Sequence, residues 1–568
     1  MGALRLAVVL AFAALPFLAV PAAAEARQER PNVLVLMSDD QTVESLRVMS
    51  RTRELLGARG VEFGRSFVNY ALCCPSRATL FTGQYAHNHR VLSNQPPSGG
   101  YGRLDRSNWL PGWLQAAGYH TVHVGKFLNG YGVANPLEVP PGWNEWYGTV
   151  DPSTYSFWNY TVNENGVLQT YGGNGDPAFY STDFMSRRAS DLVTRLAPSD
   201  RPFFLSVAFL APHSGGPVEA DDPPNVPTPA VAPRHRDAYA TEPLPAAPSF
   251  NEADVSDKPL SVRLRMPIGA PRAAAIDEDY RQRLESLLAV DEGIAHILDT
   301  LHRSGELRDT LVIFTSDNGF FQGEHRIPGG KLLPYEPSIR VPLLMRGPGI
   351  PRGLRLNQLV TNADLAPTIL DAAEAAPGRV QDGRSLLRLI VDPDQWWGRE
   401  LLVEGGDRNG LTFWGLRNYR YSYIEYASGE RELYDLDADP DQLQSLHFDP
   451  RYAAVQAGLG VRLAALRSCA GRACRAEPRL ELRVRPRGCV AGAVRTRLIG
   501  PDRRLAELAR FSAHGRARAA VRTAGRETGF LRRMRVRGGP GRRFTLRARV
   551  RLEDGRIVTV DRLLRICR

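Results

Sequence analysis

Five short apolar segments, each followed by a cluster of small or polar residues, limit most strongly what this chain can fold into. They are apolar at nearly every position rather than at alternate ones, which is typical of strands buried on both faces of a sheet. The segments are Asn32–Met37, Thr121–Val124, Phe203–Leu210, Leu311–Thr315 and Val341–Met345. We therefore predict that all five are buried strands.

Helical patterns separate these segments. Leu284–Leu301 repeats apolar residues along one helical stripe, and Asp105–Ala117 and Leu365–Ala373 do so more weakly. Alternating strands and helices predict an α/β fold with a mostly parallel sheet flanked by helices. Ligands of such sheets bind beyond the carboxyl ends of the strands, so we expect the polar clusters after the strands to converge on one cleft.

The chain of 568 residues is too long for one compact core. We predict a main domain over residues 27–400. Strand-like segments and one helix then predict a small antiparallel α+β subdomain over 401–466. Alternating segments after it predict an Arg-rich, disulfide-containing β domain over 467–568.

The N-terminus has the pattern of an export signal. Arg5 precedes an uncharged apolar run, and small residues after it offer cleavage sites following Ala24 or Ala26. We predict a signal peptide over residues 1–26, and no transmembrane segment once it is removed. An uncleaved anchor is the alternative, but the run is short and rich in alanine. The mature protein is thus expected to be secreted or otherwise extracytoplasmic.

Positive charge is concentrated in the C-terminal region. The net charge is +11, and residues 467–568 contain 29 Arg, no Lys and eight acidic residues. Such a region could bind an anionic polymer or a cell surface, or it could reflect general use of Arg on the protein surface. It lacks interleaved stacking aromatics, so we predict no nucleic-acid partner.

The six cysteines form two groups. Four lie in the C-terminal region, and an even number in an exported protein predicts two disulfides. The spacing favours pairing of Cys469 with Cys474 and of Cys489 with Cys567, although other pairings remain open. Cys73 and Cys74 are adjacent and have no other partner in the acidic remainder of the chain.

The most specific motif is Cys73-Cys74-Pro75-Ser76-Arg77, followed by Thr82-Gly83. Pro75 is well placed to begin a helix, so Cys73 would precede a helix N-terminus, where free amides favour negative charge. A buried structural cysteine or a vicinal disulfide is the alternative. A nucleophile at a helix terminus fits the local sequence better.

This motif resembles the signature of the sulfatase family, C-x-P-S-R-x-x-x-x-T-G. Further segments resemble its N-acetylglucosamine-6-sulfatase branch: Ser-Asp-Asp-Gln at 38–41, His-Asn-His at 87–89 and Gly-Lys-Phe-Leu-Asn at 125–129. The resemblance covers nearly all of residues 30–465, and implies an alkaline-phosphatase-like fold in a catalytic domain. It also implies that a formylglycine-generating enzyme oxidises Cys73 to formylglycine during maturation.

Four oxygen-bearing side chains follow two of the predicted strands. Asp39 and Asp40 follow the first, and Asp317 and Asn318 follow the fourth. Hard cations such as Ca²⁺ or Mg²⁺ require this type of ligand, although an acidic pair that only caps a loop is common. The family resemblance implies that these four residues and the modified Cys73 bind Ca²⁺, with Mg²⁺ left open by the sequence.

The chemistry of sulfate transfer explains why a cysteine would be modified. A serine that attacked sulfur would leave a stable sulfate ester, whereas a hydrated aldehyde has a second hydroxyl that can expel sulfate. Arg77 could hold the diol oxygens or the metal-binding carboxylates, and Lys126 and Lys331 suit sulfate oxygens. His213 is a candidate acid for the leaving alkoxide. His325 either faces the substrate or is structural.

One position departs from the wider family. Many sulfatases have a histidine two residues after the lysine at position 126, and this chain has Leu128, as does the N-acetylglucosamine-6-sulfatase branch. The base that drives sulfate release is therefore open, with His89 and His325 as candidates.

We predict a sulfuric ester hydrolase, acting on sulfated small molecules or glycans such as amino sugars and glycosaminoglycan fragments. A phosphonate monoester or phosphodiester hydrolase could use the same site. A protein of another class, without catalysis, could hold sulfated polymers through the Arg-rich region. The enzyme is favoured because the chain has the full set of candidate site residues: Cys73, Arg77, both lysines and both pairs of metal-ligand candidates.

Overall fold

The computed structural model describes residues 30–568, apart from gaps at 246, 394–396, 398, 476–479, 487–488, 501–502, 504–505, 516, 520, 526–527, 553–556 and 568. The predicted signal peptide, residues 1–26, lies outside the described residues. Within the described part of the chain, none of the helices is both long and apolar enough to cross a membrane.

The first ten α-helices and the first twelve strands make up the main part of the fold, and the eleventh helix lies in the C-terminal part. The helices are α1 (Ser50–Thr52), α2 (Cys73–Thr82), α3 (Ala86–His89), α4 (Leu110–Ala116), α5 (Ser181–Leu196), α6 (Leu260–Arg263), α7 (Ala270–Arg303), α8 (Glu336–Ile339), α9 (Leu365–Ala372), α10 (Leu387–Val391) and α11 (Ala453–Leu466). The strands are β1 (Asn32–Ser38), β2 (Val61–Phe63), β3 (Ser66–Phe67), β4 (His120–Gly125), β5 (Glu145–Thr149), β6 (Tyr160–Glu164), β7 (Val167–Tyr171), β8 (Phe203–Ala208), β9 (Thr310–Ser316), β10 (Leu343–Arg346), β11 (Leu354–Leu356) and β12 (Val360–Thr361).

Ten of these strands form one mixed sheet, in the order β11-β2-β10-β9-β1-β8-β4-β5-β6-β7. The five central strands, β9, β1, β8, β4 and β5, are parallel. Strands β10, β6 and β7 pair antiparallel with their neighbours towards the two edges. The α/β prediction is confirmed, with the parallel strands at the centre of the sheet.

Helices cover both faces of the sheet, which explains the continuous apolar runs. Leu34 and Leu36 of β1 belong to an apolar cluster that contains residues of α5 and α7. Val33 and Val35, on the opposite face of the same strand, belong to a second cluster with residues of α2, α4 and α9. Each residue of β1 therefore meets apolar side chains whichever way it points.

The fifth predicted strand runs against the direction that we expected. In β10, Met345 lies opposite Ile313 and Arg346 opposite Val312, because β10 is antiparallel to β9. The polar cluster after it, which begins at Arg346, therefore lies at the amino end of β9 and away from the other clusters. An apolar run shows that a strand is buried and carries no information about its direction.

Two predicted helices differ in extent. The helix predicted from Leu284 begins at Ala270, and Pro271 occupies its first turn, where a missing N–H costs nothing. The helix predicted from Asp105 begins only at Leu110. The helix predicted over Leu365–Ala373 is confirmed as α9 to within one residue.

The C-terminal part contains three further sheets. Strands β13 (Leu401–Asp407), β14 (Gly410–Arg417), β15 (Tyr421–Tyr426) and β16 (Arg431–Asp435) form an antiparallel sheet beside α11, as predicted, although β14 had not been recognised. A four-stranded sheet has the order β17-β19-β23-β21 and a five-stranded sheet the order β18-β25-β24-β20-β22. These strands are β17 (Glu481–Arg485), β18 (Cys489–Val490), β19 (Ala493–Ile499), β20 (Ala506–Gly515), β21 (Ala517–Ala519), β22 (Arg522–Gly525), β23 (Leu531–Gly538), β24 (Arg543–Leu552) and β25 (Ile557–Ile566).

The last two sheets share one apolar core and so form a β-sandwich. The favoured disulfides, Cys469–Cys474 and Cys489–Cys567, are both present. Cys469 and Cys474 pack in a cluster with residues of β13 and α11. The predicted boundaries at 400 and 466 remain predictions.

Candidate active site

Cys73 lies buried at the first position of α2. Leu72 before it is extended, with φ −153° and ψ 139°, so the chain turns into the helix at Cys73 itself. The backbone N–H of Cys74 donates to Asn94 Oδ1 at 2.9 Å. Every residue of α2 is buried, so the helix is fixed on all sides. Cys73 is thereby held at a helix N-terminus, although the helix begins at Cys73 itself and not, as predicted, at Pro75.

The two pairs of metal-ligand candidates lie side by side. Strands β1 and β9 are parallel with Ser38 opposite Ser316, so the residues that follow each strand emerge together. The Asp40 N–H donates to Asp317 Oδ1 at 3.1 Å, and Asn318 Nδ2 donates to Asp40 Oδ1 at 2.6 Å. Asp40 has φ +65°, a left-handed conformation in which Asp is tolerated better than most residues.

Two lysines and a carboxylate surround the Cys73 sulfur. Sγ lies 3.0 Å from Lys331 Nζ, 3.8 Å from Lys126 Nζ and 3.6 Å from Asp39 Oδ1. Lys126 also forms an ion pair with Asp39, and Lys331 forms one with Asp40. The sulfur of Cys73 is thus the point where the start of α2 meets residues that follow β1, β4 and β9.

Arg77 connects two of the carboxylates. Its guanidinium donates from Nε to Asp317 at 2.8 Å and from Nη2 to Asp39 at 3.2 Å. Nη1 donates to the carbonyl of Lys126 at 2.8 Å. Arg77 is 2% exposed, and its contacts hold three of the converging segments in one arrangement. The prediction that it holds the carboxylates agrees with these contacts.

His213 lies at the edge of the cluster, with Nε2 3.7 Å from Asp40 Oδ2. Its Nδ1 lies 2.7 Å from the carbonyl of Ser214, which can only accept, so Nδ1 carries the hydrogen. Burial and the charge of Lys126 lower the pKa of His213 to about 4. The ring is therefore neutral at pH 7 and has its free electron pair on Nε2.

Burial and the surrounding charges set the ionisation of the other groups. Burial, reinforced by Asp39, raises the pKa of the Cys73 thiol to about 12. An unmodified thiol at this position is therefore protonated and a poor nucleophile. Burial alone would raise the pKa of Asp40, but Lys331 and His213 bring it down to about 2. Asp40 therefore stays ionised.

The donor set fits a hard cation. Ligand atoms of Asp39, Asp40, Cys73 and His213 all lie within 4.8 Å of one another. Asn318 Oδ1 is buried and has no hydrogen-bond partner among the described residues, a costly state for an amide oxygen that a cation would relieve. Carboxylate and amide oxygens are the ligands that Ca²⁺ and Mg²⁺ prefer.

Three residues considered from the sequence lie in other surroundings. His325 Nδ1 lies 2.7 Å from Glu252 Oε2, and its ring packs on Tyr335 at 4.3 Å between centroids. His89 Nε2 lies 3.0 Å from the Oγ1 of Thr79, a residue of α2 that follows Cys73 by six positions. Leu128 is buried in an apolar cluster. Neither histidine has a contact to Cys73 among the described residues, whereas His213 lies in the cluster with it.

The sequence interpretation missed two side chains of the site. The ring of Tyr155 lies 4.6 Å from Lys126 Nζ and 5.1 Å from the His213 ring, and Asn129 Nδ2 donates to its hydroxyl at 2.5 Å. Arg283, in the middle of α7, donates to the carbonyl of Asp40. Neither residue lies in a motif, so no local signal in the sequence identifies them.

Comparisons with known proteins give matches over most of the chain. The profile of the family described as Sulfatase matches residues 31–375, and that of "N-sulphoglucosamine sulphohydrolase, C-terminal" matches residues 323–469. An arylsulfatase of Volvox carteri is 33% identical over 82% of this chain and 78% of its own. A human N-acetylglucosamine-6-sulfatase is 32% identical over 78% of this chain and 86% of its own.

Solved structures share the fold at lower identity. One, determined in complex with its substrate D-glucosamine-2-N,6-O-disulfate, has a TM-score of 0.65 and 22% identity, and covers 77% of this chain and 97% of its own. The phosphonate monoester hydrolase of Agrobacterium radiobacter has a TM-score of 0.56 and 24% identity, over 77% and 95% of the two chains.

Proposed function

Because this chain belongs to the sulfatase family and is a sulfuric ester hydrolase, we propose that it removes sulfate from sulfated amino sugars or glycosaminoglycan fragments. The nucleophile is formylglycine made from Cys73. A divalent cation is held by Asp39, Asp40, Asp317, Asn318 and the modified residue 73, with Ca²⁺ favoured over Mg²⁺ by family resemblance.

One observation carries the proposal. The buried sulfur of Cys73 lies at a helix N-terminus, 3.0 Å from Lys331 Nζ and 3.6 Å from the Asp39 carboxylate. The unmodified thiol has its pKa raised to about 12 by burial, so it would contribute little thiolate at neutral pH. The same position suits a hydrated formylglycine, which supplies one hydroxyl for attack on sulfur and a second for release of sulfate.

The cationic side chains bind and orient the sulfate group. Lys126 Nζ and Lys331 Nζ lie 3.8 Å and 3.0 Å from Cys73 Sγ, and they offer hydrogen bonds to oxygens that gain charge during transfer. Arg77 pairs with Asp39 and Asp317 and keeps both carboxylates in place. The cation, when bound, favours the ionised form of the attacking hydroxyl and offsets the charge of the sulfate.

His213 moves the proton. Its neutral ring has a free electron pair on Nε2, so it first accepts the proton that the attacking hydroxyl of residue 73 gives up, and only then can donate it. We assign it the transfer of that proton to the leaving alcohol oxygen. The same residue is the candidate base in the absence of a histidine at position 128, because His89 and His325 are hydrogen-bonded elsewhere.

The names of the relatives favour a sulfated amino sugar as substrate. The human relative is named for N-acetylglucosamine 6-sulfate, and one structural neighbour was solved with a glucosamine disulfate. The rival, phosphonate monoester or phosphodiester hydrolysis, has support from a shared fold alone. Extracytoplasmic location and maturation by a formylglycine-generating enzyme complete the proposal, and rest on the signal-like N-terminus and on the Cys73 motif.

Turnover of matched substrates tests this function. The protein, produced together with a formylglycine-generating enzyme, should hydrolyse an aryl sulfate and N-acetylglucosamine 6-sulfate with higher kcat/KM than an aryl phosphodiester. Cys73→Ala should abolish all of these activities. A higher kcat/KM on the phosphodiester would contradict the proposal and favour the rival.

A further inference from the structure

The four-stranded sheet of the β-sandwich has an outer face made largely of arginine. In β17, β19 and β23, apolar and polar residues alternate, so that one set fills the core and the other is exposed. The exposed arginines, which we call the arginine face, are Arg483, Arg485, Arg495, Arg497, Arg533, Arg535 and Arg537.

The strand register places these arginines next to one another. Arg485 lies opposite Arg495, which lies opposite Arg533, and Arg483 lies opposite Arg497. Adjacent strands are about 4.8 Å apart, so the row of three arginines spans roughly 10 Å. Like charges directly opposite each other destabilise a sheet. An anionic ligand on this face would remove that repulsion.

Acidic residues do not neutralise this face. Among the described residues, none of the arginines of this face forms an ion pair. Glu481, at the start of β17, is the exposed acidic residue on the same face. The outer face of the five-stranded sheet differs, because Arg547 pairs with Asp561 at 2.9 Å and Arg551 with Glu507 at 2.8 Å. Carboxylates thus balance part of one face of the sandwich and leave the other cationic.

We propose that the arginine face binds a sulfated polysaccharide, and so holds a polymeric substrate near the enzyme. Guanidinium groups bind tetrahedral oxyanions through paired hydrogen bonds, and their repetition over the face suits an extended polyanion. Strands β17, β19 and β23 contain no aromatic residue, which disfavours single-stranded nucleic acid. The choice of a sulfated polymer rests on the proposed function.

Heparin, a heavily sulfated polysaccharide, is the probe for this proposal. The variant Arg485→Gln/Arg495→Gln/Arg533→Gln removes the row of three from the full-length protein. Neutralising three charges should lower the slope of log Kd against log salt by about two to three, which corresponds to roughly 100-fold weaker binding at about 0.15 M NaCl. Turnover of a small aryl sulfate should be unchanged, and it reports that the variant is folded.

The matched control is Arg510→Gln/Arg549→Gln/Arg565→Gln, which removes three exposed arginines from the five-stranded sheet. It should lose far less heparin affinity than the first variant. An equal loss would show that net charge alone governs binding, and would overturn the proposal. If the triple variant of the face fails to fold, Arg533→Gln alone should lower the salt slope by about one, and an unchanged slope would overturn the proposal.

Other polyanions and an inactive variant complete the test. Duplex DNA of similar charge, or vesicles containing phosphatidylserine, should bind more weakly than heparin, and equal or tighter binding of either would overturn the proposal. Cys73→Ala should bind heparin as the wild type does while lacking turnover. Loss of activity and loss of polymer binding are thereby separated, so either proposal can fail without the other.

Discussion

Replacement of Arg77 by methionine separates a role in the active site from a role in stability alone. The guanidinium is almost fully buried between Asp317, at 2.8 Å, and Asp39, at 3.2 Å. Methionine fills part of the space but leaves both carboxylates without this partner. Breaking a buried ion pair by removing one member costs about 3–5 kcal/mol, and we expect the free energy of unfolding to fall by that amount.

Arg399 provides a matched control. It is also fully buried, and it donates to Asp364 at 2.6 Å, at a capped turn before α9. Arg399→Met should cost a similar 3–5 kcal/mol, because the same kind of pair is broken. Chemical denaturation of both variants measures this loss.

Turnover distinguishes the two variants. Arg77→Met should lower kcat on an aryl sulfate by about 10²–10³-fold, as much as the loss of a donor to the reacting group, because Asp39 and Asp317 lose the partner that holds them in the site. Arg399→Met, assayed under conditions where it remains folded, should keep the wild-type kcat. Equal losses of kcat in both variants, or wild-type turnover in Arg77→Met, would show that Arg77 has no specific role in the active site.

Three further predictions concern the proton carrier, the cation and the sandwich. His213→Gln should lower kcat by about 10²–10⁴-fold, whereas His325→Gln should lower stability and leave kcat intact. The opposite pattern would contradict the assignment of proton transfer to His213. A chelator should abolish turnover. Ca²⁺ at about 100 times its Kd should restore turnover and stabilise the fold by about 2.7 kcal/mol. Full turnover in the presence of the chelator would exclude the proposed cation. The cysteines of the Cys489–Cys567 disulfide are 78 residues apart. Replacing both should destabilise the sandwich by about 4–5 kcal/mol in denaturant titrations, without loss of aryl sulfate turnover. An unchanged unfolding transition would contradict this stabilising role of the disulfide.

The sequence predicted those parts of the site that depend on local signals. Asp39 and Asp317 follow buried apolar strands, and parallel pairing of β1 with β9 brings them together. Cys73 stands in a specific motif two residues before Pro75, so its place near a helix start could also be predicted. Four of the five central strands, β1, β4, β8 and β9, were recognised because helices cover both faces of the sheet, whereas β5 was not.

Other features depend on tertiary contacts that no local pattern encodes. The direction of β10 follows from its pairing with β9, and an apolar run reads the same in either direction. Tyr155 and Arg283 reach the site from a short turn and from the middle of a long helix, far from any motif. His325 has the sequence context of a site residue, yet Glu252, from a distant segment, holds its ring in a separate buried network.

Mass spectrometry of the peptide that contains Cys73 tests the central claim most directly. The protein should be purified from its native host, and its specific activity measured on the same sample. We expect formylglycine at position 73, in a fraction that rises in proportion to specific activity across preparations. An unmodified thiol throughout a fully active preparation would contradict it.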